Sequence, residues 1–146
     1  MKIKPFIRKA NFYETDQMSI IHHSNYIRWF EEARVDFMEQ IGFGYEKSAA
    51  LGVDFALVGL SCEYKSMVRF GESVAICAKI ATLTNSRMTV SYEVKDSKTD
   101  ELRTTGETRH CFLGGEGKRP VSLKKVLPEL YELFVETMDC GGGEYN

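Results

Sequence analysis

The sequence predicts an α+β fold in which a curved antiparallel sheet wraps one long helix. Three observations predict it. A single strongly amphipathic helix lies near the N-terminus, and long strands follow it with only turns between them. The lengths also match: strands of 10–13 residues span roughly 33–43 Å, and a 17-residue helix spans roughly 26 Å. A helix of that length can bury its apolar stripe along such a sheet. One sheet over one helix leaves a face and an edge open, which favours pairing with a second copy.

Residues 2–13 mix β-formers with basic residues and read as a first strand, kinked or edge-placed at Pro5. Residues 14–24 are irregular. The helix covers 25–41, where Tyr26, Phe30, Ala33, Phe37 and Ile41 form one stripe that Trp29 and Met38 widen. Ser24 suits the N-cap and Gly42 the stop. Glu31 and Arg34, three apart, read as an ion pair on the helix surface or an interface. A short helix follows at 44–51 and stops at Gly52.

The strands come next. In 55–68, Ala56, Val58, Leu60, Cys62 and Tyr64 share a face. In 72–83, apolar residues occupy both faces. In 87–95, Met88, Val90, Tyr92 and Val94 alternate with polar residues. The last long strand is 101–113, with Arg109-His110 read as structural. The segment "GGEGKRPVSLKKV" is irregular, and a final helix starts near Pro128, a favoured first helical position. Its apolar face is Leu130, Leu133, Phe134 and Met138. The tail at 140–146 is expected to fray.

The bulk numbers narrow the function. A chain of 146 residues suits one domain, 1–146. A formal net charge of -2 argues against a nucleic-acid partner. The longest near-apolar stretch, "FALVGLSC", is far short of the ~20 residues that span a bilayer, so no membrane role is expected. "MKIKPFIRKANF" has no apolar run behind its basic residues and does not read as a secretory signal. Cys62, Cys77, Cys111 and Cys140 are widely spaced, and reduced thiols in the cytoplasm are expected.

The chemistry concentrates in "ETDQMSIIHHSNYIRWFEEAR", Glu14 to Arg34. Asp16 precedes His23 by seven residues, and the helix starts immediately after. With "F-Y-E-T-D-Q-M" before it, "VRFGESV" at 68–74 and "SRMTVSYEV" at 86–94, this stretch resembles the hot-dog fold acyl-CoA thioesterases of the 4-hydroxybenzoyl-CoA thioesterase type. The order of elements agrees over roughly residues 3–137. The resemblance implies a hot-dog fold with a five-stranded sheet around the long helix, and an active site where subunits of a homodimer or homotetramer meet. It implies that Asp16 is the catalytic carboxylate, activating water or attacking the thioester carbonyl itself. It also implies that the backbone N–H near His23 polarises that carbonyl. Gln17-Met18-Ser19 depart from the small residues and glycine frequent there in the family, which bears on the shape of the acyl pocket.

Elementary chemistry agrees. The leaving thiolate has a conjugate acid near pKa ~8.5, by analogy with cysteine, and needs little proton assistance. One carboxylate then suffices, without a full triad. Unpaired N–H groups at a helix N-terminus can hold the oxyanion. The His23 ring is a second candidate, as a donor to substrate or a partner for Asp16. His22, Asn25 and Tyr26 are candidate substrate contacts, although Asn25 and Tyr26 also suit the helix start and core. Arg87, Lys118 and Arg119 are candidates for coenzyme A phosphates, against plain solubility. Met18, Phe43, Tyr45, Phe55 and Met67 are candidates for the acyl pocket. Adjacent histidines with no cysteine pair make a poor zinc site, so no metal is expected. No resident cofactor is expected either, since coenzyme A enters and leaves with substrate and product. The substrate is an acyl-CoA or acyl-carrier-protein thioester. Two other functions use the same fold: a non-catalytic acyl-thioester binding module, and a 3-hydroxyacyl dehydratase.

Overall fold

The computed structural model describes residues 2–145, with side chains described up to residue 139. The expected frayed tail at 140–146 therefore lies outside the residues described in full.

Six strands form one curled antiparallel sheet: β1 (Phe6–Lys9), β2 (Val53–Tyr64), β3 (Ser73–Leu83), β4 (Arg87–Asp96), β5 (Leu102–Gly114) and β6 (Arg119–Pro120). The spatial order is β1-β3-β4-β5-β2, and β6 pairs with the far end of β5. The five-stranded expectation holds for the main path and misses β6. That short strand forms because Gly115 and Gly117, both with positive φ, turn the chain back on β5. Among the described residues, four helices complete the fold: α1 (Ser24–Gln40), α2 (Tyr45–Ala50), α3 (Leu123–Val126) and α4 (Pro128–Tyr145). Of these, α3 falls in the stretch expected to be irregular. No helix among the described residues is long and apolar enough to cross a membrane.

The helix α1, with its C-cap Ile41, buries the whole expected stripe, Tyr26, Phe30, Ala33, Phe37 and Ile41, with Trp29 and Met38. It lies on the sheet face built by Val74, Ile76, Ala78 and Ile80 of β3 and Met88, Val90, Tyr92 and Val94 of β4. The Phe30 ring stacks on Tyr92 with centroids 4.4 Å apart. Gly106 sits directly beneath, and a Cβ there would come within 2.5 Å of the Phe30 ring. The missing side chain is what allows helix and sheet to approach this closely. Leu130 and Phe134 of α4 close the core.

Two expectations need correction. The first strand is four residues long, because the chain enters a 3-10 turn at Phe12–Glu14. In β2, a bulge between Leu57 and Gly59 shifts the alternation by one residue. Ala56 therefore does not share a face with Leu60, Cys62 and Tyr64, which lie opposite Thr108, Gly106 and Thr104 on the helix side. The helix touches this edge strand where the Tyr26 ring meets Tyr64 and leaves much of its face uncovered. Leu57, Leu60 and Tyr64 stay 41–51% exposed on the face that elsewhere forms the core.

Candidate active site

Asp16 sits in a tight loop between the 3-10 turn and α1. Thr15 bridges to Ile21, the Asp16 N–H donates to the Ile20 carbonyl (2.9 Å), and the Ser19 N–H donates back to the Asp16 carbonyl (3.0 Å). Ser19 adopts φ +62°, the left-handed conformation that closes such a loop. One carboxylate oxygen, Oδ1, accepts the Met18 N–H at 2.8 Å in an Asx turn. Oδ2 has no hydrogen-bond partner among the described residues.

Both ends of this loop are tied to Glu14, which sequence reasoning missed. The Glu14 carbonyl accepts the His22 N–H (2.8 Å) and the Asn25 side-chain amide (3.0 Å). Its carboxylate is 3% exposed and accepts Arg8 Nη1 (2.9 Å), Arg8 Nη2 (2.8 Å), Trp29 Nε1 (2.8 Å) and the Asn11 N–H (2.9 Å). Burial pushes its pKa up, but the Asn11, Trp29 and Arg8 donors outweigh that and hold it below the usual range. The local signal was a carboxylate two residues before Asp16. Its partner Trp29, fifteen residues on, is not visible as a partner in the sequence.

At the start of α1, His22 occupies two of the free N–H groups. The Ser24 N–H points to His22 Nδ1 (3.2 Å), and the Asn25 N–H donates to the His22 carbonyl (3.0 Å). The His22 ring is held by the Ser24 hydroxyl at 2.8 Å. The His23 N–H has no hydrogen-bond partner among the described residues. Asn25 is buried, with its amide spent on Glu14 and His22. His22 and Asn25 thus build the turn, whereas His23 and Tyr26 line a cavity together with Asp16.

That cavity is about 360 Å³ and mostly apolar, with Met18 and Ile20 on one side and Tyr64 and Met67 on the other. The Tyr64 hydroxyl donates to the His23 carbonyl (3.1 Å), and its ring meets Tyr26 edge-on at 5.3 Å. Arg103 fixes the far wall: Nη1 donates to the Met67 carbonyl (2.6 Å), and Nη2 pairs with Asp96 (2.9 Å). Of the candidate pocket residues, Met18 and Met67 line this cavity. Phe43 is in the core, and Tyr45 and Phe55 line a different cavity.

The basic candidates lie elsewhere in the chain. Arg87 is opposite Cys111, which is opposite Ala56, whereas the cavity lies beyond Tyr64. Tyr64 lies eight positions along the strand from Ala56, about 26 Å. Lys118 pairs with Asp54 at 2.9 Å, and Arg119 lies in β6 at that same distant end. One chain therefore does not bring Arg87, Lys118 and Arg119 to Asp16. Nor do Glu31 and Arg34 form the expected ion pair among the described residues. Arg34 turns inward to Tyr45 and Tyr92 instead.

A curled sheet around one helix, with a carboxylate at the helix start beside an apolar cavity, places the chain in the class of hot-dog thioesterases. Residues 10–131 match the model of the thioesterase-like superfamily, and the chain belongs to that family. It is 36% identical to a protein of Aquifex aeolicus (strain VF5) named "Putative esterase", over 86% of this chain and 97% of that one. It is 25% identical to a Bacillus subtilis (strain 168) protein named "Putative acyl-CoA thioesterase YneP", over 86% of this chain and 91% of that one. Its fold superposes on a DHNA-CoA thioesterase from Staphylococcus aureus with TM-score 0.88 and 28% identity, covering 97% of this chain and 96% of that one.

Proposed function

We propose that the chain hydrolyses an acyl-CoA or acyl-carrier thioester to a free acid and a thiol, with Asp16 as general base or nucleophile. The observation that carries this reading is the pairing of two unspent groups at one cavity. Oδ2 of Asp16 and the His23 N–H both lack partners among the described residues, whereas Asp16 Oδ1 and the His22, Ser24 and Asn25 N–H groups are engaged. A free carboxylate oxygen can take a proton from water or attack the carbonyl carbon. A free N–H at the positive end of α1 can stabilise the charge that develops on the carbonyl oxygen. The thiolate then leaves without an acid. Met18, Ile20 and Met67 offer an apolar bed for the acyl group or the pantetheine arm. The route needs no resident cofactor, because coenzyme A arrives and departs with substrate and product.

The same reading makes the working unit a homodimer or homotetramer with the site at a subunit interface. Support comes from β2, a 12-residue edge strand whose Leu57, Leu60 and Tyr64 are apolar, half-exposed and on the core-type face. Arg87, Lys118 and Arg119 then have a use only if a second copy brings them to the cavity. A reducing cytoplasm suits the free Cys62, Cys77 and Cys111.

The test is free-thiol release from a panel of aromatic and short- to long-chain aliphatic acyl-CoAs, with wild type and Asp16→Asn side by side. Turnover on the best substrate is expected to fall by roughly 10²–10⁴-fold in the variant. Wild-type turnover in Asp16→Asn would sink the mechanism.

A further inference from the structure

Two elements far apart in the chain, the start of α1 and the end of β2, meet at the Asp16 cavity, and one side chain joins them. Tyr64 is the last residue of β2 and lies opposite Thr104 of β5. Its hydroxyl donates to the His23 carbonyl at 3.1 Å, across 41 residues of sequence. Its ring meets Tyr26 edge-on at 5.3 Å and the His23 imidazole at 6.4 Å. Farther along the strand, Leu57 and Leu60 stay exposed. Tyr64 is thus where β2 takes hold of the helix start.

That hold falls beside the group the reaction uses. His23 is the N-cap of α1, with φ −55° and ψ −28°, and its side chain makes no capping bond among the described residues. A free N–H is aimed only by the peptides on either side of its Cα. The peptide before His23 is fixed from within the turn: the His22 carbonyl accepts the Asn25 N–H (3.0 Å) and the Asn25 side-chain amide (3.3 Å). The peptide after it carries the carbonyl that Tyr64 takes. Its N–H, from Ser24, meets only the ring of His22, which is itself exposed. The ends of helices fray when nothing outside the helix holds them. Here the outside hold comes from a strand built into the sheet.

The phenol suits a fixed donor and not a proton carrier. Burial pushes it up to about 12, so it keeps its proton at neutral pH. The Cys62 thiol, two residues earlier on the same strand face, shares a hydrogen bond with it and is also raised by burial. Both groups are therefore neutral, and the hydroxyl proton is spent on the His23 carbonyl.

We propose that Tyr64 is a positioning residue for thioester hydrolysis: its hydroxyl fixes the His23 carbonyl, and so holds the adjoining His23 N–H where the substrate oxyanion develops. The inference rests on the hydrolytic reading of the Asp16 cavity and adds to it a residue from β2. A misplacement of about 1 Å costs roughly 10²-fold in rate, so releasing one of two holds is expected to cost roughly tenfold.

Tyr64→Phe tests this, because it deletes the hydroxyl and keeps the ring on Tyr26. The side chain is 51% exposed, so the variant should melt within about 2 °C of wild type. On whichever acyl-CoA of the panel above the wild type turns over fastest, kcat should fall roughly tenfold with KM within about twofold. A hydroxyl that merely bound substrate would instead raise KM at unchanged kcat. NMR relaxation gives a readout that needs no turnover: the order parameter of the His23 N–H should fall from about 0.85 toward about 0.6 in the variant. Three results would overturn the proposal: an unchanged kcat, a raised KM at unchanged kcat, or an unmoved His23 order parameter. A wild type inactive on every acyl-CoA would sink the hydrolytic reading and this proposal with it. An active wild type beside an equally active Tyr64→Phe would sink the proposal alone.

Discussion

Glu14→Gln isolates the charge that holds the Asp16 loop. The substitution keeps the shape and removes one negative charge at a site only 3% exposed. In the wild type, Oε1 accepts Arg8 Nη1 and the Asn11 N–H, and Oε2 accepts Arg8 Nη2 and Trp29 Nε1. A glutamine amide presents one oxygen and one NH₂, so whichever way it turns, two of these four donors face another donor. Hydrogen bonds to charged groups contribute about 1.5–3 kcal/mol each. Arg8 keeps Glu32 at 2.7 Å, so its charge is not stranded and the loss stays below the sum. The net cost is about 3 kcal/mol, which for a domain of this size lowers the melting temperature by roughly 10 °C. The sign with pH is fixed as well. The folded pKa of Glu14 is depressed, so its stabilisation is present above the unfolded value of about 4.3 and is lost as pH falls through the folded value. Thermal melts followed by circular dichroism should therefore show a wide gap between wild type and variant at pH 7, closing in strong acid. Because the Glu14 backbone carries His22 and Asn25, kcat should fall roughly tenfold at pH 7 through a 1 Å-scale loosening of the loop. A variant that melts within 2 °C of wild type at pH 7, by the same size scaling, would refute the charged hub.

Two further outcomes follow from the core. Gly106→Ala places a Cβ 2.5 Å from Phe30 Cε2 and 2.8 Å from the Ser61 carbonyl, so α1 must lift or the ring must turn. Denaturant titration should show a loss of about 2 kcal/mol, in the range of overpacked cores, and an unchanged midpoint would mean that the helix–sheet spacing is not set here. His110 is neutral when folded, with its pKa lowered to about 4 against about 6.5 unfolded. The unfolded state binds the extra proton between these values, so stability falls by about 3 kcal/mol as pH drops from 6.5 to 4. Urea unfolding across that window checks the slope, and a folded-state His110 NMR titration near 6.5 would contradict it.

By itself, the sequence determined what depends on short periods. The stripe Tyr26–Ile41 places α1 on the sheet, because residues three and four apart share a helix face. The alternation Met88–Val94 orients β4, because side chains along a strand alternate sides. Asp16 and His23 were singled out as a pair by the family resemblance, and the two line one cavity. Tertiary structure alone decided everything that depends on register and long-range approach. Which face of β2 looks inward turned on a single bulge at Leu57–Gly59, and no local pattern announces an extra residue in a ladder. Glu14 became a hub only when Trp29 and Arg8 closed over it. The far wall of the cavity, Tyr64 and Met67 held by Arg103, comes from some forty residues or more downstream. Arg34 stood three residues from Glu31 and still turned away, because two phenols from α2 and β4 lay within reach inside the core. Periodicity sets which side a residue faces, whereas its partner is set by which element packs there, and that is a property of the assembled fold.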